Sequence, residues 1–324
     1  MQADFAAAGL AQATQRKYDR AWATFVALAA AAGVPALPVS PWDFEAIISA
    51  YAQAKRSTAL VSEMTAAVNH FHGLAGFAAP GSSRRARLTL RGISRAYAKP
   101  PKQALPLSPC MIKSATATLG DDLMRTTSFT RSVALWRTVA AMAFSFSTLA
   151  RFNCMTKIKM RHIQFFEDGA SIFFPHSKTD QLGRGQTVFL NRLAGSHFCP
   201  VLLLKAYTLR LQYEAFRAGT FPFEHYLFPA LRRVRGQTQL TRLAFSRQGA
   251  TKALRDLLSD LGTPDPSAYT LHSGRRGGAT FAAMNGCDFL SLKRQGRWRS
   301  DVSPQIYIDE AHTRNNNFTS FLGL

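Results

Sequence analysis

The stretch of sequence that decides the fold lies close to the C-terminal end. Residues 271–308 read LHSGRRGGATFAAMNGCDFLSLKRQGRWRSDVSPQIYI. Within this stretch, His272 and Arg275 are three residues apart, so both would project from one face of a helix. Trp298 follows Arg275 after 23 residues, and Tyr307 follows Trp298 after nine. The spacing predicts that four chemically active side chain types meet in one region of the fold.

These residue types suit chemistry on a phosphodiester. A tyrosine hydroxyl can attack phosphorus and form a covalent intermediate, which divides one difficult displacement into two easier ones. Arginine can bind the non-bridging oxygens in bidentate fashion, and histidine or lysine can move protons. Ser303 and Pro304 are typical of a helix start, which predicts Tyr307 in the opening turns of a short helix. No cluster of carboxylates suited to Mg²⁺ accompanies these residues, so cations of the protein would have to stabilise the charge.

Further members of the set can be sought upstream. Arg151 follows an apolar segment that is predicted to be helical, and its alternative role is to cap the carbonyl end of that helix. Lys178 begins the loop between two predicted strands, and Arg184 in the same loop is its rival. Arg276 is the rival of Arg275, although a salt bridge would suit it better. His272 and Trp298 could also be explained as a helix-terminal histidine and a core residue.

The order and spacing of this set resemble the tyrosine recombinase (phage-integrase) family. Six residues carry the resemblance: Arg151, Lys178, His272, Arg275, Trp298 and Tyr307. The resemblance implies that the two arginines clamp the scissile phosphate and that a lysine on a β-hairpin protonates the leaving 5′ oxygen. It also implies that the histidine assists proton transfer, that the tryptophan buttresses the phosphate, and that the tyrosine attacks. A His-x-x-Arg pair alone would be weak, and the two matching intervals after it are the specific part.

The resemblance extends over nearly the whole chain and implies both a fold and a reaction. The expected fold is mainly α with a small antiparallel β-sheet, comprising a helical N-terminal core-binding domain and a catalytic domain. The expected activity is site-specific recombination of double-stranded DNA through a 3′-phosphotyrosyl intermediate and a Holliday junction. The partners would be DNA and three further copies of the chain in a tetramer, with no ATP, metal or other cofactor.

Two departures from the commoner pattern bear on the subfamily. Gly274-Arg275-Arg276 replaces the frequent Leu-Arg-His, and Trp298 occupies a position that is more often histidine. Both variants resemble recombinases of eukaryotic mobile elements such as Cryptons and DIRS-type retrotransposons. Two other functions stay open: a non-catalytic DNA-binding protein of the same fold, and a type IB topoisomerase-like enzyme.

Composition agrees with a nucleic-acid partner. The 324 residues include 40 Lys and Arg against 19 Asp and Glu, a formal net charge of +21, and 47% of the residues are hydrophobic. This content is enough for a folded core, and a polyanion is the commonest partner of such an excess of positive charge. The apolar runs are too short or interrupted to cross a bilayer, and the first ten residues lack a secretory pattern. Four cysteines without metal-ligand spacing favour a reduced intracellular location, nuclear in a eukaryote and cytoplasmic or nucleoid-associated in a bacterium.

The pattern of elements predicts two domains with a linker between them. Residues 1–98 read as a helical DNA-binding bundle, residues 99–109 contain four prolines and form the predicted linker, and residues 110–324 form the catalytic domain. Net charge is +6 over residues 1–100 and +15 over the rest. The arginines with candidate DNA contacts are Arg84, Arg85, Arg87, Arg91, Arg276 and Arg299.

Within the second domain, two aromatic runs flank Asp168-Gly169 and predict a β-hairpin, and residues 188–190 predict a third strand. One small sheet is therefore expected among helices. Residues 311–324 combine a polar stretch with an apolar end, which predicts an arm that docks on a neighbouring protomer, or alternatively on its own domain.

Overall fold

The computed structural model describes residues 9–100, 103–124, 131–176, 184–219, 224–234 and 237–315, without the side chains of residues 237 and 311–315. The chain divides into two compact units between Lys102 and Gln103. The part of the predicted linker from Gln103 to Pro109 therefore belongs to the second unit. Leu107 is fully buried, and the backbone N–H groups of Leu105 and Leu107 donate to the carbonyls of Ala268 and Ser273.

Residues 9–100 of the first unit form a bundle of four α-helices: α1 (Gln12–Ala31), α2 (Pro41–Lys55), α3 (Thr58–Leu74) and α4 (Arg84–Tyr97). Serine side chains at residues 40, 57 and 83 accept hydrogen bonds from the first turns of α2, α3 and α4, which explains where these helices begin. Phe25, Phe44 and Met64 form the centre of the core. His72 is buried in this core, and both of its ring nitrogens form hydrogen bonds with backbone groups, Nε2 with the Val39 N–H and Nδ1 with the Val68 carbonyl.

The second unit is built around a buried apolar helix. Its helices are α5 (Pro109–Ala117), α6 (Val133–Thr148), α7 (Phe152–Met155), α8 (Pro200–Arg217), α9 (Arg247–Asp260), α10 (Ser273–Met284), α11 (Phe289–Gly296) and α12 (Val302–Asn315). Helix α6 packs against α5, α8, α9 and α10. Trp136 and Phe144 anchor it in the main core. None of the helices in the described ranges is long and apolar enough to cross a membrane.

The predicted hairpin and third strand form an antiparallel sheet in the order β1 (Ile163–Phe165), β2 (Gly169–Phe174) and β3 (Gln186–Asn191). Phe165 pairs with Ala170, and Ile172 pairs with Val188. The chain turns before Gly169, which opens β2. A side chain there would overlap the carbonyl of Leu190, so close approach of β3 explains this glycine.

The expectation of one sheet was wrong, because β4 (Pro229–Val234) and β5 (Gln237–Ala244) form a second antiparallel sheet of two strands. The sequence did not predict this sheet because polar and apolar residues alternate only weakly in the two strands. A hairpin with one exposed face also needs no long apolar run. Arg232 and Leu243 are exposed on this hairpin, whereas Pro229 is buried and its carbonyl accepts from Arg137.

Candidate phosphodiester-acting site

The site forms where the end of α6 meets the start of α10. Two glycines allow this contact, since a Cβ at Gly274 or Gly278 would overlap Ser145 or Phe146 of α6, and Gly277 allows the same close approach of Leu107. The glycines after Arg275 and Arg276 in the sequence thus serve close helix packing rather than a turn. As a result, the first turn of α10 lies directly beside the chain reversal that follows α6.

That reversal brings Arg151 into the site. Leu149 adopts a left-handed backbone with φ of 52°, which is rare for a residue with a branched side chain, and it ends α6. Arg151 then precedes α7 as its N-cap residue. Its side chain has no hydrogen bond or ion pair with any residue in the described part of the chain. It does not cap α6, the alternative considered from the sequence.

Other side chains perform that capping. The last carbonyls of α6 belong to Ser147, Thr148 and Leu149, and each accepts one hydrogen bond. The donors are Gln295 Nε2 at 2.9 Å from the Ser147 oxygen, Arg297 Nη1 at 3.1 Å from the Thr148 oxygen, and Arg275 Nη1 on the Leu149 oxygen. The end of α11 and the start of α10 are therefore both bonded to the same backbone segment, which lies two to four residues before Arg151.

Arg275 is almost fully enclosed, with 1% of its surface exposed. A second bond, from Nη2 to the Gly296 oxygen, measures 2.9 Å, and Cζ lies 4.2 Å from the ring centroid of Trp298. Burial and then the charge of Arg151 lower the pKa of this guanidinium to about 9, while Tyr307 partly offsets them. The group therefore remains a cation at neutral pH.

Trp298 closes the other side of Arg275. It is buried, and its ring centroid is 5.5 Å from that of Tyr307. It also belongs to a small apolar cluster with Leu149, Ala279 and Leu292, against which Tyr307 packs. A side chain at Gly296 would overlap the indole ring. Packing is thus part of what Trp298 does, as the sequence analysis allowed.

Tyr307 lies on α12, which begins one residue before the predicted Ser303–Pro304 start. Its Oη is 3.4 Å from His272 Nε2, at the long end of hydrogen-bonding distance. His272 is the N-cap residue of α10. Burial first, and then the charges of Arg275, Arg151 and Arg276, lower the pKa of His272. The imidazole is therefore neutral at pH 7 and can accept a proton from Tyr307.

A cleft of about 410 Å³ opens beside these residues, and we call it the basic cleft. Its polar lining includes four cationic or imidazole side chains besides His272 and no carboxylate among the described residues: Arg151, Lys157, His176 and Arg247. Arg247 Nη2 donates to Asn153 Oδ1 at 2.9 Å. The lining suits a small anion.

Five of the six predicted catalytic residues are thus brought together. Lys178 lies outside the described residues. His176, two residues before it in the sequence, lines the basic cleft. Of the candidate DNA contacts, Arg84, Arg87 and Arg91 are exposed on α4, and Arg299 is exposed after α11.

Two other candidate DNA contacts are engaged within the protein. Arg85 Nε donates to Glu45 Oε2 at 2.7 Å, and its Cζ lies 3.9 Å from the ring centroid of Trp42. Arg276 Nη2 donates to Glu310 Oε2 at 3.1 Å, which agrees with the salt-bridge alternative and not with a free DNA contact.

Arg297 is the residue that sequence reasoning missed. It is buried, and burial lowers its pKa to about 10. Besides its bond to Thr148, its Cζ lies 3.9 Å from the ring centroid of Phe174, at the end of β2. Arg297, which immediately precedes Trp298, therefore contacts both the end of α6 before Arg151 and the end of β2 before Lys178. Its position between Gly296 and Trp298 was the only sequence signal, and an arginine in a basic protein is not distinctive.

Comparisons with known proteins agree with this arrangement. No protein-family model matches the chain. An integrase/recombinase from Selenomonas ruminantium, described as a XerD homolog, is 26% identical over 308 residues, covering 94% of this chain and 83% of the relative.

Solved structures share the fold at low sequence identity. The Tn1549 transposon integrase superposes with a TM-score of 0.55 at 13% identity and 87% coverage of both chains. The XerH site-specific recombinase gives 0.53 at 12% identity, covering 89% of this chain and 73% of that one. A lambda integrase dimer gives 0.52 at 12% identity, with coverage of 94% and 74%.

Fold and site together define a mainly helical protein with small antiparallel sheets, in which Arg151 and His272 line a basic cleft and Tyr307 and the buried Arg275 lie beside His272 and Trp298. The XerH recombinase, the Tn1549 integrase and the lambda integrase share this fold. In sequence and in fold the chain is therefore similar to the integrases and recombinases of the tyrosine recombinase family.

Proposed function

We propose that the protein is a site-specific DNA recombinase or integrase that cuts and rejoins DNA strands through a 3′-phosphotyrosyl intermediate. The observation that carries the proposal is the placement of Tyr307 Oη 3.4 Å from a neutral His272, beside Arg275 and the basic cleft. In this arrangement a nucleophile, a proton acceptor and cations meet at one point.

The proposed reaction exchanges one ester bond for another. The Tyr307 oxygen attacks the phosphorus, and His272 Nε2 accepts the phenolic proton. An O–P bond forms to tyrosine while the bond from phosphorus to the 5′ oxygen breaks, and the 5′ oxygen takes up a proton, for which Lys178 is the proposed donor. Because the phosphodiester energy is kept in the new ester, a 5′ hydroxyl can reverse the step with either strand.

The two arginines have different proposed parts in this reaction. Arg151 lines the basic cleft with a side chain that is not engaged by the described residues, so it is suited to bind the non-bridging oxygens directly. Arg275 is held by two backbone carbonyls and by Trp298, so it supplies a fixed positive charge next to Tyr307. Fixed charges stabilise a transition state without reorganising during the reaction.

Double-stranded DNA is the proposed substrate. The chain carries a formal net charge of +21, and three arginines of α4 lie on an exposed face. The structural relatives support this, because XerH was solved with its difH substrate and the Tn1549 integrase with transposon right end DNA. We also propose a tetramer on paired sites with a Holliday junction intermediate, although the lambda integrase relative is a dimer on its core site.

The predicted C-terminal arm remains part of this proposal. Helix α12 continues to Asn315, so the first residues of the arm are helical, whereas residues 316–324 lie outside the described residues. The resemblance to mobile elements of eukaryotes also stays a prediction, since the similarities found here do not concern such elements.

A nicked suicide duplex tests the proposed chemistry. The wild-type protein should form a covalent protein–DNA adduct that survives denaturing electrophoresis, and Tyr307→Phe should bind the same duplex without forming the adduct. Sequencing the trapped DNA ends would then identify the target. An adduct formed by Tyr307→Phe would show that another residue attacks, and relaxation of plasmids without a specific site would favour the topoisomerase-like alternative.

A further inference from the structure

Behind the site, a shared carboxylate joins α10 to α12. Arg276 Nη2 donates to Glu310 Oε2 at 3.1 Å, and Thr280 Oγ1 donates to the same oxygen at 3.2 Å. The side chains of Arg276 and Glu310 are only 17% and 18% exposed, and Thr280 is fully buried. This is therefore a mostly desolvated ion pair, which fixes geometry more strongly than a pair on an open surface.

The positions of these residues relate the contact to Tyr307. Glu310 follows Tyr307 by three residues on α12, so the two side chains share one side of the helix. Arg276 and Thr280 are four residues apart on α10 and lie one above the other. Two donors from one helix that meet one oxygen of the other restrict both the rotation of α12 and its sliding along α10.

Tyr307 itself makes one long polar contact, 3.4 Å from its Oη to His272 Nε2. Tyr307 and Ile308 pack against the apolar cluster of Leu149, Ala279, Leu292 and Trp298. Apolar packing is non-directional, so a helix that is held only by such contacts can shift with little loss. The two shorter hydrogen bonds at Glu310 Oε2 are therefore suited to set the position of the Tyr307 oxygen relative to His272.

We propose that Arg276, Thr280 and Glu310 form a latch that sets the register of α12 and so positions Tyr307 for attack. This inference rests on the proposed function, in which Tyr307 is the nucleophile. Arg276 is thereby a positioning residue, next in sequence to Arg275 but with a different task.

A charge swap tests the latch through the rate of adduct formation on the nicked duplex. Arg276→Glu and Glu310→Arg should each slow adduct formation by about 100-fold, the size of effect that a misplacement of about 1 Å produces. The double variant restores an ion pair across the same helices and should return to within about tenfold of wild type. The matched control is the same swap at Lys252 and Asp256, an exposed pair on α9 that is 2.6 Å apart and should not change the rate.

Hydrogen exchange of α12 in DNA-free protein separates the latch from the chemistry. Both single variants should exchange the amides of residues 302–315 faster than wild type, and the double variant should recover slow exchange. If the wild-type protein forms no adduct, the proposed function fails while this readout still decides whether the latch exists. Thermal melts monitored by circular dichroism identify a variant that does not fold, and Glu310→Gln then replaces it as the milder change.

Two results would overturn the latch. One is single variants that form the adduct at the wild-type rate, whatever their exchange. The other is a folded double variant that reacts as slowly as the single variants.

Discussion

The two arginines of the site occupy opposite environments. Arg275 lies in a closed corner with 1% of its surface exposed, bonded to two backbone carbonyls and stacked on Trp298. Arg151 stands at the edge of the open basic cleft, and its side chain makes no hydrogen bond or ion pair within the described ranges. Arg275 therefore holds two backbone segments together, whereas the side chain of Arg151 is available to bind an anion.

This difference bears on the electrostatic repulsion between the cations of the site. Burial is the largest cause that lowers the pKa of Arg275, of Arg297 and of His272. The charge of Arg151 lowers all three further, and for His272 the charge of Arg275 has a larger effect than that of Arg151. Within the described part of the chain, no carboxylate shifts these three pKa values. The cations repel one another until an anion enters, so we expect a phosphate to relieve repulsion that the DNA-free protein tolerates.

The largest effect on stability is expected from removing the buried guanidinium of Arg275. Arg275→Met keeps side chain length but leaves the carbonyls of Leu149 and Gly296 without donors, at a cost of about 1–3 kcal/mol for each unsatisfied buried group. We expect the free energy of unfolding to fall by about 2–4 kcal/mol in urea titrations, together with loss of the covalent adduct. A change below about 0.5 kcal/mol would contradict the structural part assigned to Arg275.

The same substitution in the open cleft should separate stability from chemistry. Arg151→Met removes no hydrogen bond or ion pair with the described residues, so stability should stay within about 0.5 kcal/mol of wild type. The adduct should nevertheless be lost, because the proposed phosphate ligand is gone.

Sulfate provides a readout without DNA. A tetrahedral anion that binds the folded protein raises its melting temperature. Wild-type protein should gain more in sulfate than in chloride of equal ionic strength, and Arg151→Met should lose that site-specific part of the gain. An equal gain in both proteins would mean that sulfate acts only through exclusion from the surface.

Much of this arrangement could be predicted from the sequence because local rules suffice for it. A capping serine followed by a proline marks the starts of α2 and α5, and the Ser303–Pro304 pair predicts the start of α12 to within two residues. The intervals from His272 to Tyr307 predicted that these side chains lie close together, because they span two short helices and the turns that follow them. In such a segment, spacing along the chain translates directly into placement in space.

What could not be predicted depends on contacts between distant segments. Arg297 and Gln295 bond to carbonyls almost 150 residues earlier in the chain. Nothing in the residues around them distinguishes these two side chains from exposed ones. The pairing of Arg276 with Glu310 and the second sheet likewise follow from tertiary packing, which a single sequence does not encode in any short pattern.

His272 lies between the two environments and should give the smallest effect, a pH dependence of stability. Its pKa is lowered in the folded protein by burial and by Arg275, Arg151 and Arg276, so the folded state resists protonation more than the unfolded chain does. Stability is therefore fully present above the ordinary histidine value of about 6.5 and declines as the pH falls through the folded pKa. His272→Gln should remove part of this decline in urea titrations between pH 7.5 and 5.5. His162→Gln is the matched control. The pKa of His162 is also lowered by burial and by neighbouring cations, but His162 is far from Tyr307 in the sequence and lies on a different element.

Saturating sulfate should weaken the effect of His272 alone, since an anion bound by Arg151 offsets the positive charge that opposes protonation of His272. If sulfate changes both histidine profiles equally, His272 does not sense the occupant of the basic cleft.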